Sequence, residues 1–221
     1  MVIDKDDFIY IPTAKLWFAK KRTSLNRNWH GTWKALLKKN LEMPTIEEFR
    51  VSLKYLRDSK EREHNVLYEK ITKIRPILKA NWLDAYFEEG SDGMYLLTKN
   101  KAKAEKLQDC LMRNKTPGIS LDDWLDGDNN SVTPQGIPSQ NISGGDLFYW
   151  APVAGSVARF AADSGWAGLC CGGGLPAGLA ISGYSLSLTF LQRKSSKINL
   201  ELNFLQLIRI RLNMKFLKTI K

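Results

Sequence analysis

Few residues in this chain have the types and spacing needed for catalysis. Histidine occurs only at His30 and His64, and neither lies near a Cys, Ser or carboxylate in a catalytic or metal-binding pattern. Cys170 and Cys171 are adjacent, so in a strand their thiols point to opposite faces and do not share one metal ion. The neighbouring sequence also lacks the cation or histidine that a reactive thiolate requires. These patterns predict inert thiols and structural histidines, and no enzyme.

Two other stretches have the residue types of ligand sites without their spacing. Oxygen ligands on a flexible loop suit calcium, but those between 122 and 129 do not have the spacing of an EF-hand. We expect a solvated acidic loop there, with these members: Asp122, Asp123, Asp126, Asp128 and Asn129. Three glycines at 172–174 lack the frame and the lysine of a phosphate-binding loop. We therefore expect no metal and no other cofactor.

Composition favours a globular protein. The chain has 221 residues, of which 43% are hydrophobic and 25% are charged, so it can bury a core of its own. Its three cysteines are too few for a disulfide framework. The first residues are acidic and lack the apolar segment of a signal peptide, and no apolar run is long enough to cross a membrane. We expect cytoplasmic synthesis, with display on a virus particle as a further possibility.

Much of the net charge of +10 lies in the C-terminal segment. From residue 187 onward, eight Lys and Arg residues are accompanied by one acid, Glu201. Apolar residues there fit both a period of two and a period of four, so strands and a basic amphipathic helix are both open. We expect a main domain at 1–186 and a basic apolar tail at 187–221. The tail offers an alternative function as a module that binds nucleic acid or a membrane surface.

Periodicity predicts the elements of the N-terminal third. Residues 8–12 are β-branched and aromatic, which favours a short strand. Apolar residues then recur at helical spacing in 28–41, 46–58 and 61–74, with charged residues on the other face. We therefore predict three amphipathic helices after the first strand.

The middle of the chain is predicted to contain a hairpin and a long loop. Residues 82–88 and 94–98 favour strands and flank a loop of hairpin length. The polar stretch 99–112 predicts a helix or a mobile excursion. A short helix with a serine N-cap is expected at 119–125, and 126–145 has the composition of a functional or mobile loop.

Residues 149–183 differ from the rest of the chain in composition and in pattern. Between Ala151 and Leu191 there is no Lys, Glu, Gln, Met or Asn, although the flanking sequence contains them. Larger residues alternate with small ones, and a side-chain period of two is typical of extended chain. We therefore predict that one face of this segment is fixed and packs inward, whereas the other face carries the small residues.

The stretch YWAPVAGSVARFAADSGWAGLCC, preceded by GGDLF, resembles the variable region of diversity-generating retroelement target proteins of the type found in archaea and their viruses. The resemblance implies an α+β protein with a C-type-lectin-like fold: N-terminal helices, short antiparallel sheets and a loop-rich C-terminal variable region. In that family a reverse transcriptase rewrites codons by mutating adenines in a template copy. An Asn template codon cannot yield Lys, Glu, Gln, Met or Trp, which matches the varied positions of 151–191.

Together, the resemblance and the alternation divide the segment into two sets of positions. The fixed frame consists of Trp150, Pro152, Gly155, Val157, Ala158, Arg159, Phe160, Ala162, Ser164, Trp166, Ala167, Leu169, Cys171, Gly173 and Pro176. The varied, ligand-binding positions are Ala151, Val153, Ala154, Ser156, Ala161, Asp163, Gly165, Gly168, Cys170, Gly172, Gly174, Leu175, Ala177, Gly178, Leu179, Ala180 and Ile181.

The resemblance implies a non-enzymatic protein that binds an unknown protein or cell-surface ligand, with no specific nucleic acid as partner. The EPN and WND signatures of calcium-dependent sugar binding are absent, so that activity is not implied. An enzyme on a related fold, of the formylglycine-generating type, is a third possibility, but the catalytic cysteine pair with its partners is not evident.

Overall fold

The computed structural model describes residues 6–21, 24–25, 27–73, 79–100, 102–107, 115–128, 130–139, 142–163, 166–172 and 186–187. The helices in these ranges are α1 (Trp29–Leu37), α2 (Ile46–Asp58), α3 (Arg62–Thr72) and α4 (Leu121–Asp126). The strands are β1 (Phe8–Ile11), β2 (Leu16–Ala19), β3 (Ser24–Leu25), β4 (Lys79–Gly90), β5 (Gly93–Thr98), β6 (Lys103–Lys106), β7 (Lys115–Ile119), β8 (Leu147–Trp150), β9 (Val157–Asp163), β10 (Trp166–Cys170) and β11 (Leu186–Ser187). The chain is therefore of the α+β class, and none of the helices described is long and apolar enough to cross a membrane.

The predicted helices are confirmed, and side-chain caps explain where three of them begin. The Asn28 side chain accepts a hydrogen bond from the Gly31 N–H at the start of α1. At the start of α2, Thr45 and Glu48 form a capping box, in which each side chain accepts from the other residue's backbone N–H. Ser120 caps α4 as predicted. These caps satisfy amide groups that the helices themselves leave without partners.

Several strand assignments differ from the sequence prediction. The hairpin of β4 and β5 is present, but its turn is tighter than predicted because Gly90 pairs directly with Gly93. The expected helix or excursion at 99–112 is wrong over 103–106, where β6 pairs with β5 in antiparallel register. This edge strand was not predicted because three of its four residues are charged. Strand β2, which pairs with β1, was not predicted.

A seven-stranded sheet forms the centre of the molecule, in the order β6-β5-β4-β9-β10-β8-β7. Its neighbouring strands are antiparallel except β8 and β10, which are parallel. The sheet is larger than the short antiparallel sheets that were expected. Two further strand pairs, β1-β2 and β11-β3, lie outside it.

The main core lies on the face of the sheet that carries Phe160. This ring lies 5.3 Å from the Phe49 ring of α2 and stacks at 6.1 Å on the Trp124 indole of α4, measured between centroids. Trp124 also donates its indole N–H to the Gly136 carbonyl at 3.0 Å. This bond and the buried side chain of Ile137 fix part of the loop predicted at 126–145 against the core.

The acidic residues of α4 take part in ion pairs with α2. The Arg57 guanidinium lies 2.9 Å from Asp122 and 2.7 Å from Asp126, and Lys54 also pairs with Asp126. These hydrogen bonds lower the pKa of the Asp126 carboxyl. The acids at 122 and 126 therefore neutralise cations of the neighbouring helix.

Arg50 joins α2 to the end of α4. Its guanidinium donates to the carbonyls of Trp124, Leu125 and Gly127 at 3.2, 2.8 and 3.2 Å. The same group forms a two-point ion pair with Glu47 at 2.7 and 2.8 Å, and only 12% of its side chain is exposed. Because helix ends leave carbonyls without intrahelical partners, this one side chain completes the C-terminus of α4.

We predict that Arg50→Met lowers the free energy of unfolding by about 2–3 kcal/mol. The substitution leaves the carbonyls at the end of α4 without their hydrogen-bond donor, while it keeps an apolar stem of similar length. Lys54→Met is the matched control, since its ion pairs are more exposed and should cost less than about 1 kcal/mol. Urea denaturation measures both variants. Equal losses would contradict the role assigned to Arg50.

A buried carboxylate holds the turn that follows β5. Asp84 is fully buried, and its oxygens accept hydrogen bonds from the backbone N–H groups of Lys99 and Asn100, both at 2.9 Å. Burial raises the pKa of Asp84 to about 7, although these two hydrogen bonds oppose the shift. Next to this turn, the Lys99 ammonium lies 4.9 and 4.2 Å from the ring centroids of Trp29 and Trp33. The turn is thereby fixed against α1.

The raised pKa of Asp84 predicts a specific pH dependence. Between about pH 4 and 7 the folded state retains a proton that the unfolded state has released, so the contribution of Asp84 to stability falls as the pH rises. Relative to Asp84→Asn, wild-type stability should decline across this interval by up to about 1.4 kcal/mol per pH unit. Urea denaturation at several pH values measures this difference, and parallel curves for the two proteins would contradict it.

Candidate ligand-binding surface

Strands β8, β9 and β10 carry the segment that was predicted to have a fixed and a varied face. Their register places Leu169 opposite both Phe160 and Tyr149, so the three side chains form one row across the sheet. All three are fully buried in the main core. The predicted inward packing is therefore confirmed in this row for Phe160 and Leu169, which were both assigned to the face that packs inward.

The next row lies on the opposite face of the sheet. Cys170 is opposite Arg159 on one side and Trp150 on the other, and Arg159 is opposite Trp82 of β4. The Arg159 guanidinium lies 6.0 Å from the centroid of the Trp82 ring. Trp150 and Arg159 were assigned to the inward-packing frame, so their position on the second face is a correction. Alternation predicted two faces, but it did not place every large residue correctly.

Some of the positions predicted to face a ligand are buried. Ser156, Ala161 and Cys170 are 1%, 0% and 4% exposed, and Gly168 is also buried. Ala161, Gly168 and Cys170 lie on β9 and β10, interior strands of a seven-stranded sheet with a hydrogen-bonded strand on each side. The expectation that these four positions are exposed is therefore wrong, because it assumed that the second face of the segment is open.

The exposed members of the predicted set lie close together. Val153 is 53% exposed, Ala154 is exposed, and Ala151 and Gly172 are partly exposed. A Cβ atom added to Gly172 would lie 2.7 Å from the Ala151 carbonyl oxygen and 3.2 Å from a methyl group of Val153. We call these four residues the exposed patch. It is the part of the predicted ligand-binding set that the structure describes as accessible.

Hydrogen bonds fix the base of the loop 151–156, which carries Ala151, Val153 and Ala154 of the exposed patch. The Gly155 N–H donates to the Phe87 carbonyl of β4 at 2.8 Å, and the Phe87 N–H donates to the Ser156 carbonyl at 2.9 Å. The Ser156 hydroxyl lies within hydrogen-bonding distance of the carbonyls of both Val153 and Cys171. Gly155 has a φ of 81°, which favours glycine at this turn. The tip of the loop is thus presented on a rigid base.

The remaining predicted positions lie outside the described residues. For Asp163 only the backbone is described, as the last residue of β9. Nothing is described for Gly165, Gly174, Leu175, Ala177, Gly178, Leu179, Ala180 and Ile181, or for the frame residues Ser164, Gly173 and Pro176. The tail at 187–221 also lies outside them, apart from the backbone of Ser187 in β11.

The two cysteines of this region are buried. Burial raises the pKa of the Cys170 thiol, although the neighbouring Arg159 lowers it, and burial raises the pKa of the Cys171 thiol well above its usual value. Both thiols are therefore protonated at neutral pH and closed to solvent, which makes them poor nucleophiles. The exposed patch has no titratable side chain and offers aliphatic and backbone contacts.

Sequence reasoning missed the contribution of β4 to this region. Phe87 holds the loop base, and Trp82 lies beside Arg159, yet the pattern of 82–88 indicated only a hairpin strand. The pairing of β4 with β9 joins residues about 75 positions apart, with a register shift between Trp82 and Tyr86. No local signal in the sequence encodes such a pairing.

No family model, curated protein or solved structure matches the chain.

We predict that Ser156→Ala destabilises the protein by about 1–3 kcal/mol, because it leaves the buried Cys171 carbonyl without its hydroxyl donor. Ala154→Ser is the matched control, two residues away at an exposed position, and should change the free energy of unfolding by less than about 0.5 kcal/mol. Thermal and urea denaturation measure both. A Ser156 variant as stable as wild type would show that the loop base does not depend on this bond.

Proposed function

We propose that this chain is a non-enzymatic ligand-binding protein that displays a diversified surface on a C-type-lectin-like fold. The observation that carries the proposal is the arrangement of the exposed patch. Val153 and Ala154 lie on a loop whose base is hydrogen-bonded to β4 and to the residue after β10, and Gly172 lies beside this loop. Many proteins carry their ligand-binding residues on surface loops that a rigid scaffold positions.

The energetics of the segment support diversification at the patch. Phe160, Leu169 and Tyr149 bury their side chains completely in the core, so their burial stabilises the fold. Val153 and Ala154 are exposed and contribute little burial, so other side chains can replace them at small cost. A binding surface can therefore change while the scaffold is preserved.

The present side chains predict weak binding by this particular sequence. The exposed patch offers only Ala, Val and Gly, whereas the residues that dominate most interfaces are Tyr, Trp and Arg. Affinity for a protein or cell-surface ligand would arise when larger or polar residues occupy the same positions. The composition of 151–191, which lacks Lys, Glu, Gln, Met and Asn, agrees with substitution from Asn template codons.

We predict that the DNA beside the gene contains a near copy of codons 150–183, with Asn codons at the varied positions, next to a reverse transcriptase gene. Sequencing the locus from many isolates should show substitutions at the codons of Val153 and Ala154 and none at those of Phe160 and Leu169. The frame codons serve as the internal control. Absence of the copy, or equal variation in both groups of codons, would contradict the proposal.

A further inference from the structure

The N-terminal part of the chain is strongly basic. Residues 8–41 contain eight Lys and Arg residues and no Asp or Glu. Among those that the structure describes, Lys20 lies 2.9 Å from Glu63, and Lys21 lies 2.8 Å from Asp7. The basic charge of the chain is therefore not confined to its tail.

Four of the cations lie on or beside α1 and are exposed. Lys34 lies within the helix, Lys38 is its C-cap, and Lys39 follows. Arg27 precedes the helix, and its Cβ would lie 3.7 Å from a Cβ added to Gly31 in the first turn. We call these four residues the basic face of α1. Within the described part of the chain, no ion pair involves any of them.

Stability of the helix does not explain the whole basic face. Lys38 and Lys39 at the C-terminus compensate the negative end of the helix dipole, which is a common structural role. Arg27 lies at the opposite end, where the dipole disfavours a cation, and no acid lies in the first turn. Every Asp, Glu, Lys or Arg side chain in 27–39 is therefore a cation, at both ends of α1, and this distribution favours an anionic partner.

We propose that the basic face of α1 binds the phosphate backbone of nucleic acid without sequence specificity. Lys34 and Lys38 lie one helical turn apart, about 6 Å along the axis, so both can contact phosphates of one duplex. Backbone contacts by Lys and Arg supply most of the affinity of non-specific binding. This surface is separate in sequence from the exposed patch.

An anionic membrane is a poorer partner for the same face. A helix that lies in a membrane surface inserts an apolar stripe among the headgroups. The apolar residues of α1, Trp29, Trp33 and Leu36, are at most 4% exposed because they pack in the protein core. Leu37, which is 47% exposed, and the small, partly exposed Ala35 remain available for insertion. The helix therefore presents charge with little apolar area.

The test compares two variants of the full chain that carry the same change in net charge. Lys34, Lys38 and Lys39 are changed to Gln in one variant, and the exposed residues Lys60, Lys70 and Lys73 in the other. Binding to a labelled mixed-sequence DNA duplex of about 20 base pairs is measured between about 50 and 200 mM salt. The α1 variant should lose more than about tenfold in affinity at the lowest salt, and its salt slope should be shallower by nearly 3.

The control variant should bind within about twofold of wild type. Arg27 lies outside α1, so Arg27→Gln provides a second variant in which the helix and its caps are unchanged. This variant should reduce the salt slope by about 1. The tail is identical in every protein, so its contribution cancels. Equal losses in the two triple variants, or no binding by wild type at low salt, would overturn the proposal. So would an effect of the α1 changes confined to binding of phosphatidylserine vesicles.

Discussion

The structure depends on the hydrogen-bonded position of β9 between β4 and β10. Because successive residues of a strand point to opposite faces, this pairing alone separates Phe160 from Arg159 and Leu169 from Cys170. A shift of the β9 register by one residue would exchange the two faces and expose the row of Tyr149, Phe160 and Leu169. The aromatic contacts of Phe160 with Phe49 and Trp124 favour the observed register, since they are available only when this ring faces α2 and α4.

The surrounding elements hold β9 in place through different interactions. On the core side, Arg50 and Arg57 connect α2 with α4, so the two helices that cover Phe160 are fixed to each other. At the start of β9, the bonds among Gly155, Phe87 and Ser156 tie the loop to β4. The same framework that buries the core row therefore also positions the exposed patch.

The predictable features are those encoded locally. Helices α2 and α4 follow from apolar spacing and from the caps of Thr45 and Ser120, and the β4-β5 hairpin follows from its turn. Strand β6 was not predicted because its residues are mostly charged, as those of edge strands often are. Burial of Ala161 and Cys170 could not be predicted, because it depends on the strands that pair on each side of β9 and β10, and such pairing is non-local. For the candidate site, the resemblance and the alternation together placed Val153 and Ala154 in the set expected to be exposed, and both are exposed, whereas the anchoring by Phe87 became visible only in the fold.

A protease-based stability scan of every substitution at residues 149–172 tests the central claim, that one face of this segment supports the fold while the loop tip is free. We expect losses of about 2–5 kcal/mol in the free energy of unfolding when Tyr149, Phe160 or Leu169 is truncated to Ala. We expect changes within about 0.5 kcal/mol for polar and aromatic residues at Val153 and Ala154. Comparable losses at the two groups of positions would contradict the claim.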